Sequence, residues 1–104
     1  MYRIENPYLK VEVSSHGAEL QSIYDKETEK EVLWQGDPKY WGRRSPILFP
    51  NVGRHSGDFY IWKEKKFSTK QHGFARDMEF SCIEEKENEL VFSLQDTEKT
   101  KEYF

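Results

Sequence analysis

The sequence predicts a mostly β protein whose antiparallel strands form a β-sandwich. Apolar and polar residues alternate in several short segments, which is the pattern of strands with one buried face. Glycines and clusters of charged residues separate these segments and indicate turns between them. At 104 residues the chain is long enough for one domain and too short for two. We therefore expect a single β domain over residues 1–104, with one core.

The first part of the chain predicts three strands. Residues 9–14 alternate between apolar and polar side chains, and residues 18–24 resume the alternation after the break at 16–17. Such segments predict neighbouring antiparallel strands joined by a short turn. The charged stretch 25–30 is expected to be a solvated connector, and 31–35 a third short strand.

The middle of the chain is less regular. An Asp followed by Pro opens residues 37–41, which favours a single helical turn. Residues 43–50 combine two arginines with an apolar run bracketed by prolines, which is typical of an edge or irregular strand. After the glycine-rich loop 51–57, the apolar residues within 59–67 flank a lysine-rich turn, which predicts a hairpin.

The last part predicts another hairpin. Alternation over residues 78–83 is followed by a charged turn and a second apolar segment at 89–94. The final residues, 97–104, are polar until they end on Tyr103 and Phe104. An ending without a cap or turn signal is typical of an interrupted domain.

Composition excludes several classes of function. The chain has 16 Lys+Arg against 19 Asp+Glu, with the two signs interspersed, so neither a nucleic-acid footprint nor a polybasic membrane patch is predicted. No signal peptide or membrane span is recognisable. Cys82 is the only cysteine and has no internal disulfide partner, which fits a reducing compartment. We expect a cytoplasmic protein whose ligand is a carbohydrate, a peptide or a neutral metabolite.

The polar loop 71–77 carries the strongest chemical signal. It places the imidazole of His72 four positions before the guanidinium of Arg76. Neutral imidazole can donate or accept a proton near neutral pH, and guanidinium is a permanent donor to oxygen-rich ligands. Gly73 allows close approach of the backbone to a ligand. The alternative is that His72 is a loop residue with a satisfied hydrogen bond.

Arginines and aromatic residues are interleaved in the loops, as in carbohydrate sites. Sugar hydroxyls accept hydrogen bonds from Arg and His, and the apolar face of a pyranose packs on aromatic rings. For each arginine the alternative is a surface ion pair. For Trp34 and Trp62 we expect core packing. For Trp41, core packing and contact with a sugar both stay open. The residues concerned are Arg44, Arg54, Arg76, Trp34, Trp41, Phe49 and Phe74.

Other chemistry is not predicted. The three histidines and Cys82 are scattered without metal-ligand spacing, so no metal site is expected. Neither a phosphate-binding loop nor a nucleophile elbow is present. The acidic residues fall mostly in predicted turns, where burial would not raise their pKa, and none is a credible catalytic carboxylate.

Four segments in order carry a resemblance to a known family. The chain resembles the N-terminal third of the aldose 1-epimerase (galactose mutarotase-like) family, and within it the LacX-like branch. The resemblance covers nearly the whole chain, and the succession of motifs is more specific than any one of them. The segments are residues 17–23 (GAELQSI), 33–41 (LWQGDPKYW), 44–54 (RSPILFPNVGR) and 71–77 (QHGFARD).

The resemblance implies a β-supersandwich that interconverts the α and β anomers of an aldose without a cofactor. Ring opening needs a base for the anomeric hydroxyl proton and an acid for the ring oxygen. By matching motifs, His72 is the catalytic-loop histidine that contacts the sugar near its ring oxygen, and Arg54 is a substrate-binding arginine. Arg76 follows the histidine as in branches where an arginine holds the sugar or its phosphate. Arg44 is a looser match.

The resemblance also marks what this chain lacks. Family members are much longer, and their general-acid histidine and general-base glutamate lie beyond the region matched here. We therefore expect an N-terminal fragment or truncated gene product, with unpaired sheet edges that favour a homo-oligomer. Two alternatives stay open: a non-catalytic carbohydrate-binding or interaction module of the same fold, and a structural β domain whose loop residues are all ion-paired.

Overall fold

Antiparallel sheets make up the structure, a computed structural model that describes residues 1–103. No α-helix occurs within that range, and the mostly β, antiparallel prediction is confirmed. The largest sheet has four strands in chain order. These are β1 (Tyr2–Glu5), β2 (Leu9–Ser14), β3 (Glu19–Asp25) and β4 (Lys30–Glu31).

The β2–β3 pair confirms the two neighbouring antiparallel strands predicted from the sequence. Val11 lies opposite Ile23, and a bulge after Glu12 shifts the register so that Val13 lies opposite Leu20. Strand β1 was not predicted, although its residues alternate between half-buried and exposed. It pairs with β2 along its whole length.

Strand β4 is shorter than the predicted segment 31–35. The Oε2 atom of Glu31 accepts hydrogen bonds from the backbone N–H groups of Ile23 at 2.8 Å and Leu33 at 3.0 Å. The Glu31 carboxylate thus accepts hydrogen bonds from backbone N–H groups that would otherwise be available to pair β3 with a longer β4. The chain leaves the sheet and forms the predicted turn, in which the N–H of Trp41 donates to the carbonyl of Asp37.

Two hairpins follow, as the sequence predicts. The first pairs β5 (Phe59–Trp62) with β6 (Lys65–Ser68). Its two-residue turn, Lys63 and Glu64, has positive φ at both positions, which matches the right-handed twist of the strands. The second pairs β7 (Ser81–Glu85) with β8 (Leu90–Ser93).

A seam joins the first sheet to the segment before β7. The N–H of Gly17 donates to the carbonyl of Met78 at 2.6 Å, and the N–H of Phe80 donates to the carbonyl of Ser15 at 2.8 Å. The side chains of His16 and Glu79 meet across the same bridge, with Nδ1 and Oε1 2.9 Å apart. This seam holds the end of the His72 loop against Gly17, where an added Cβ would lie 2.5 Å from the carbonyl oxygen of Arg76.

The described chain is thin. Its Cα extents are 55 × 34 × 16 Å and its radius of gyration is 16.6 Å, against about 13 Å for a compact domain of this length. Among residues 1–103 the buried apolar side chains are Val13, Phe67 and Ala75. The described residues therefore bury few apolar side chains. The core packing expected for Trp34 and Trp62 is wrong, since they are 42% and 62% exposed.

Candidate functional site

The loop of His72 is clamped against the segment that contains Phe49. The carbonyl of Phe49 accepts hydrogen bonds from the N–H groups of Phe74 at 3.0 Å and Ala75 at 3.1 Å. Gly73 lies against the same carbonyl with φ of 76°. An added Cβ would lie 2.1 Å from that oxygen, so only glycine fits there.

Two hydrogen bonds to one residue fix the position of His72. Its backbone N–H donates to the carbonyl of Gly53 at 2.8 Å, and its Nδ1 accepts from the N–H of Gly53 at 2.8 Å. Because Nδ1 is an acceptor, the proton of the neutral ring lies on Nε2. Nε2 has no hydrogen-bond partner within residues 1–103. The imidazole therefore keeps one free donor in a fixed orientation.

His72 and Arg76 line one open cleft of about 460 Å³, here called the central cleft. The structure thus brings together in one cleft His72 and Arg76, the two residues that made the loop 71–77 a candidate site. The indole of Trp41, left open from the sequence, adds an aromatic wall. The complete lining is Trp41, Ser45, Pro46, Leu48, Gln71, His72 and Arg76.

Arg76, which lines the central cleft, carries one unsatisfied donor. Its Nε is buried and has no hydrogen-bond partner among the described residues. The adjacent carboxylate, Asp77, pairs with Arg43 instead, with Nη2 and Oδ1 2.7 Å apart. A buried donor without an acceptor costs roughly 1–3 kcal/mol.

The structure places Arg44 and Arg54 outside the lining of the central cleft. Nη1 of Arg44 donates to the carbonyl of Gln21 at 2.6 Å and to Oε1 of Gln35 at 3.1 Å. Arg54 forms a two-point ion pair with Asp58, at 2.7 and 2.9 Å. Both guanidinium groups have protein partners, and their contact with a sugar stays a prediction.

Glu19 supports one wall of the central cleft and was missed in the sequence. Its side chain is buried, and Oε2 accepts hydrogen bonds from the backbone N–H groups of Arg44 at 2.8 Å and Ser45 at 3.0 Å. The hydroxyl of Ser45 donates to the carbonyl of Leu20 at 3.1 Å. These bonds fix the wall on strand β3. A carboxylate at the start of a strand is not by itself a signal for this role.

Acid is expected to weaken the ion pair beside Arg76. The hydrogen bond from Arg43 holds the pKa of Asp77 below its ordinary value of 3.8, against a smaller opposing effect of burial. A lowered folded-state pKa stabilises the fold above the unfolded value and loses that effect as pH falls through the folded value. Asp77→Asn should therefore lower the free energy of unfolding by roughly 0.2–1 kcal/mol at pH 6 and by less at pH 2.5.

Urea unfolding from pH 6 to pH 2.5 measures this effect. The control is Asp96→Asn, whose carboxylate pairs more loosely with Lys101 at 3.5 Å and is 74% exposed. Equal pH dependence of Asp77→Asn and the unaltered chain would contradict the prediction.

Two further findings concern the described residues as a whole. No three His, Cys, Asp or Glu side chains in residues 1–103 are grouped so that they could hold a metal ion. Nor does that part of the chain contain a helix long and apolar enough to cross a membrane.

The fold and the central cleft define a mostly β chain of the galactose mutarotase-like class. The Aldose 1-epimerase family pattern matches residues 1–104, and the chain belongs to that family, over its N-terminal portion. Plasmid-encoded protein LacX of Lactococcus lactis subsp. lactis is 42% identical over 96 residues. That match covers 88% of this chain and 32% of LacX, so the chain spans about a third of this relative.

Solved structures of similar proteins also match this chain over about a third of their own length. The galactose mutarotase related enzyme from Lactobacillus acidophilus superposes with a TM-score of 0.96 at 43% identity, over 99% of this chain and 34% of that protein. A galactose mutarotase-like protein from Lactobacillus casei ATCC 334 gives 0.97 at 36% identity, over 100% and 35% of the two chains. The described residues therefore adopt the conformation of the corresponding third of these longer proteins.

Proposed function

We propose that the central cleft binds an aldose and is the N-terminal part of an aldose 1-epimerase site, which interconverts α and β anomers by acid/base ring opening. The observation that carries this proposal is the geometry of His72. Gly53 holds its Nδ1 as an acceptor and leaves Nε2–H free, in a cleft that also contains Arg76 and Trp41. Membership of the aldose 1-epimerase family supports the choice of substrate class.

In this proposal each cleft residue has one task. Nε2–H of His72 donates a hydrogen bond to the ring oxygen, where negative charge develops as the bond to the anomeric carbon breaks. Arg76 donates to sugar hydroxyls or to the phosphate of a hexose phosphate. Trp41 packs on the apolar face of the pyranose. Arg54 and Arg44 are proposed as further oxygen ligands, which requires each to exchange a present partner.

One feature of the cleft favours a second candidate function, a non-catalytic carbohydrate-binding module. Mutarotation requires both a base and an acid at the anomeric centre. Among the described residues that line the cleft, His72 is the only imidazole and no carboxylate is present. Binding needs only the guanidinium, imidazole and indole contacts.

The experiment compares anomer exchange and binding in the same variants. Freshly dissolved α-galactose and α-glucose are followed by polarimetry with the 104-residue chain, and sugar binding is followed by NMR titration. His72→Ala is compared with His16→Ala, whose imidazole contacts Glu79 outside the central cleft. We expect sugar binding that falls at least tenfold in His72→Ala and is retained in His16→Ala.

The outcomes separate the candidates. Acceleration that depends on His72 supports the epimerase for this chain alone. Binding without acceleration supports a module that lacks the complete acid/base pair. Neither binding nor acceleration, or binding that is indifferent to His72, overturns the proposed site and favours a structural β domain.

We also propose that the chain works in the cytoplasm and associates through its sheet edges. The free thiol of Cys82 supports a reducing compartment. Strand β1 at one edge of the four-stranded sheet supports association, because an edge strand presents unpaired backbone groups, although the N–H of Glu5 already donates to the carbonyl of Glu87 at 3.1 Å.

A further inference from the structure

The backbone of Gly53, which fixes the imidazole of His72, is itself held by one side chain. Nδ2 of Asn51 donates a hydrogen bond to the carbonyl of Gly53 at 3.0 Å. The same nitrogen makes a longer hydrogen bond, of 3.4 Å, to the carbonyl of Lys70, two positions before His72. One amide group therefore joins the segment 51–53 to the loop of His72.

The two partners of Asn51 determine which end of its amide faces them. Both are carbonyl oxygens, so the NH₂ group points towards them, and reversal would place Oδ1 against two acceptors. Oδ1 is buried and has no hydrogen-bond partner within residues 1–103. The orientation of the side chain thus depends on its two donated hydrogen bonds. An ionised aspartate has the same shape but no donor, and could not take its place.

Packing contributes little to the position of Gly53. An added Cβ would have no heavy atom beyond its chain neighbours within 4 Å, and the adjacent side chain of Val52 is 75% exposed. In the described part of the chain, the hydrogen bonds of the Gly53 backbone are those with His72 and with Asn51. The Asn51 amide is therefore the fixed point on which the Gly53 peptide depends.

His72 requires such support, because its backbone lies in the left-handed region. Its φ is 63°, a conformation that is costly for a residue with a side chain. A residue keeps this conformation only where surrounding contacts determine it. For His72 those contacts include its two hydrogen bonds with Gly53. Displacement of the Gly53 peptide would therefore release both the backbone and the ring of His72.

We propose that Asn51 is a positioning residue for His72. By holding the Gly53 peptide, it keeps the Gly53 N–H on Nδ1 of the imidazole, so that Nε2 carries the proton and the ring keeps one orientation. Asn51 does not line the central cleft, so it acts through Gly53. Its effect on the imidazole needs no ligand, whereas its effect on sugar binding rests on the proposed function.

The test removes the donor of Asn51 and follows the ring nitrogens of His72 by NMR at about pH 8, where an ordinary imidazole is neutral. In Asn51→Asp we expect the Nδ1 and Nε2 signals to move towards the average of two exchanging tautomers. Hydrogen exchange at the amides of Gly53 and His72 should quicken roughly tenfold, the equivalent of one neutral hydrogen bond. Sugar affinity should fall by a similar factor.

The matched control is Asn88→Asp, which makes the same chemical change at an exposed position in the turn between β7 and β8. It should leave the ring signals of His72 and the exchange of Gly53 unchanged. The amides of strands β2 and β3 report the stability of the whole chain in each variant. Asn51→Ala removes the donor without adding charge, and covers the case in which Asn51→Asp does not fold.

Three results would overturn the proposal. The first is unchanged ring signals of His72 in both Asn51 variants, and the second is an equal change in Asn88→Asp. The third is faster exchange in β2 and β3 to the same extent as at Gly53, which would assign Asn51 a structural role alone. The ring signals are measured without sugar, so they decide the role of Asn51 even if the chain binds no sugar and the proposed function fails.

Discussion

Gly73→Ala is expected to lower the free energy of unfolding by roughly 2–4 kcal/mol, because it combines a left-handed backbone with a clash. The residue has φ of 76°, and a Cβ would lie 2.1 Å from the carbonyl oxygen of Phe49. That oxygen accepts the hydrogen bonds from Phe74 and Ala75, so relief of the clash displaces the loop. Urea unfolding measures the loss, and the NMR signals of the His72 ring report the displacement.

Two other glycines serve as controls for the separate causes. Gly53 has φ of 84° with no heavy atom within 4 Å of an added Cβ, so Gly53→Ala tests backbone strain alone and should cost about 1 kcal/mol. At Gly42 the space is open and φ is not in the left-handed region, and alanine should be nearly neutral. Equal costs for Gly73→Ala and Gly53→Ala would contradict a role for the clash.

Glu19→Ala is expected to have an effect of similar size. The substitution removes the acceptor of the backbone N–H groups of Arg44 and Ser45, and each buried donor left unpaired costs about 1–3 kcal/mol. The wall of the central cleft at Ser45 should also loosen. Urea unfolding gives the loss of stability, and hydrogen exchange at the two amides should quicken.

The conservative variant separates charge from hydrogen bonding. Glu19→Gln keeps a side-chain oxygen that can accept the same two bonds and should recover more than half of the loss. Glu27→Ala removes an exposed carboxylate and should change stability by less than about 0.5 kcal/mol. If Glu19→Gln were as unstable as Glu19→Ala, the buried hydrogen bonds would not explain the effect.

The regular strands and the chemical loop could be predicted from local patterns. Alternation of apolar and polar residues in the sequence located β2, β3 and both hairpins. Burial itself alternates little, since β3 is half-buried after its first residue and β8 is half-buried throughout. The loop motif located His72 and Arg76, which do share a cleft. Strand β1 carries a similar alternation over only four residues, and its pairing with β2 was not inferred from so short a segment.

The contacts that assemble the cleft could not be predicted, since they join residues far apart in sequence. Glu19 reaches Arg44 and Ser45 across 25 and 26 positions, and Gly53 reaches His72 across 19. A local sequence pattern cannot identify hydrogen-bond partners that lie so far apart in the chain. The expected burial of Trp34 and Trp62 failed for another reason, because a large apolar side chain is not by itself a signal of burial and much of a folded surface is apolar.

The seam between residues 15–17 and 78–80 is expected to influence the folding rate of the chain. The side chains of His16 and Glu79 meet across 63 positions, so the seam closes a long loop that contains every residue of the central cleft. Closing such a loop costs chain entropy before its contacts repay it, whereas each hairpin closes over a few residues. We therefore expect the two hairpins to form before the seam closes, and the central cleft to be completed last.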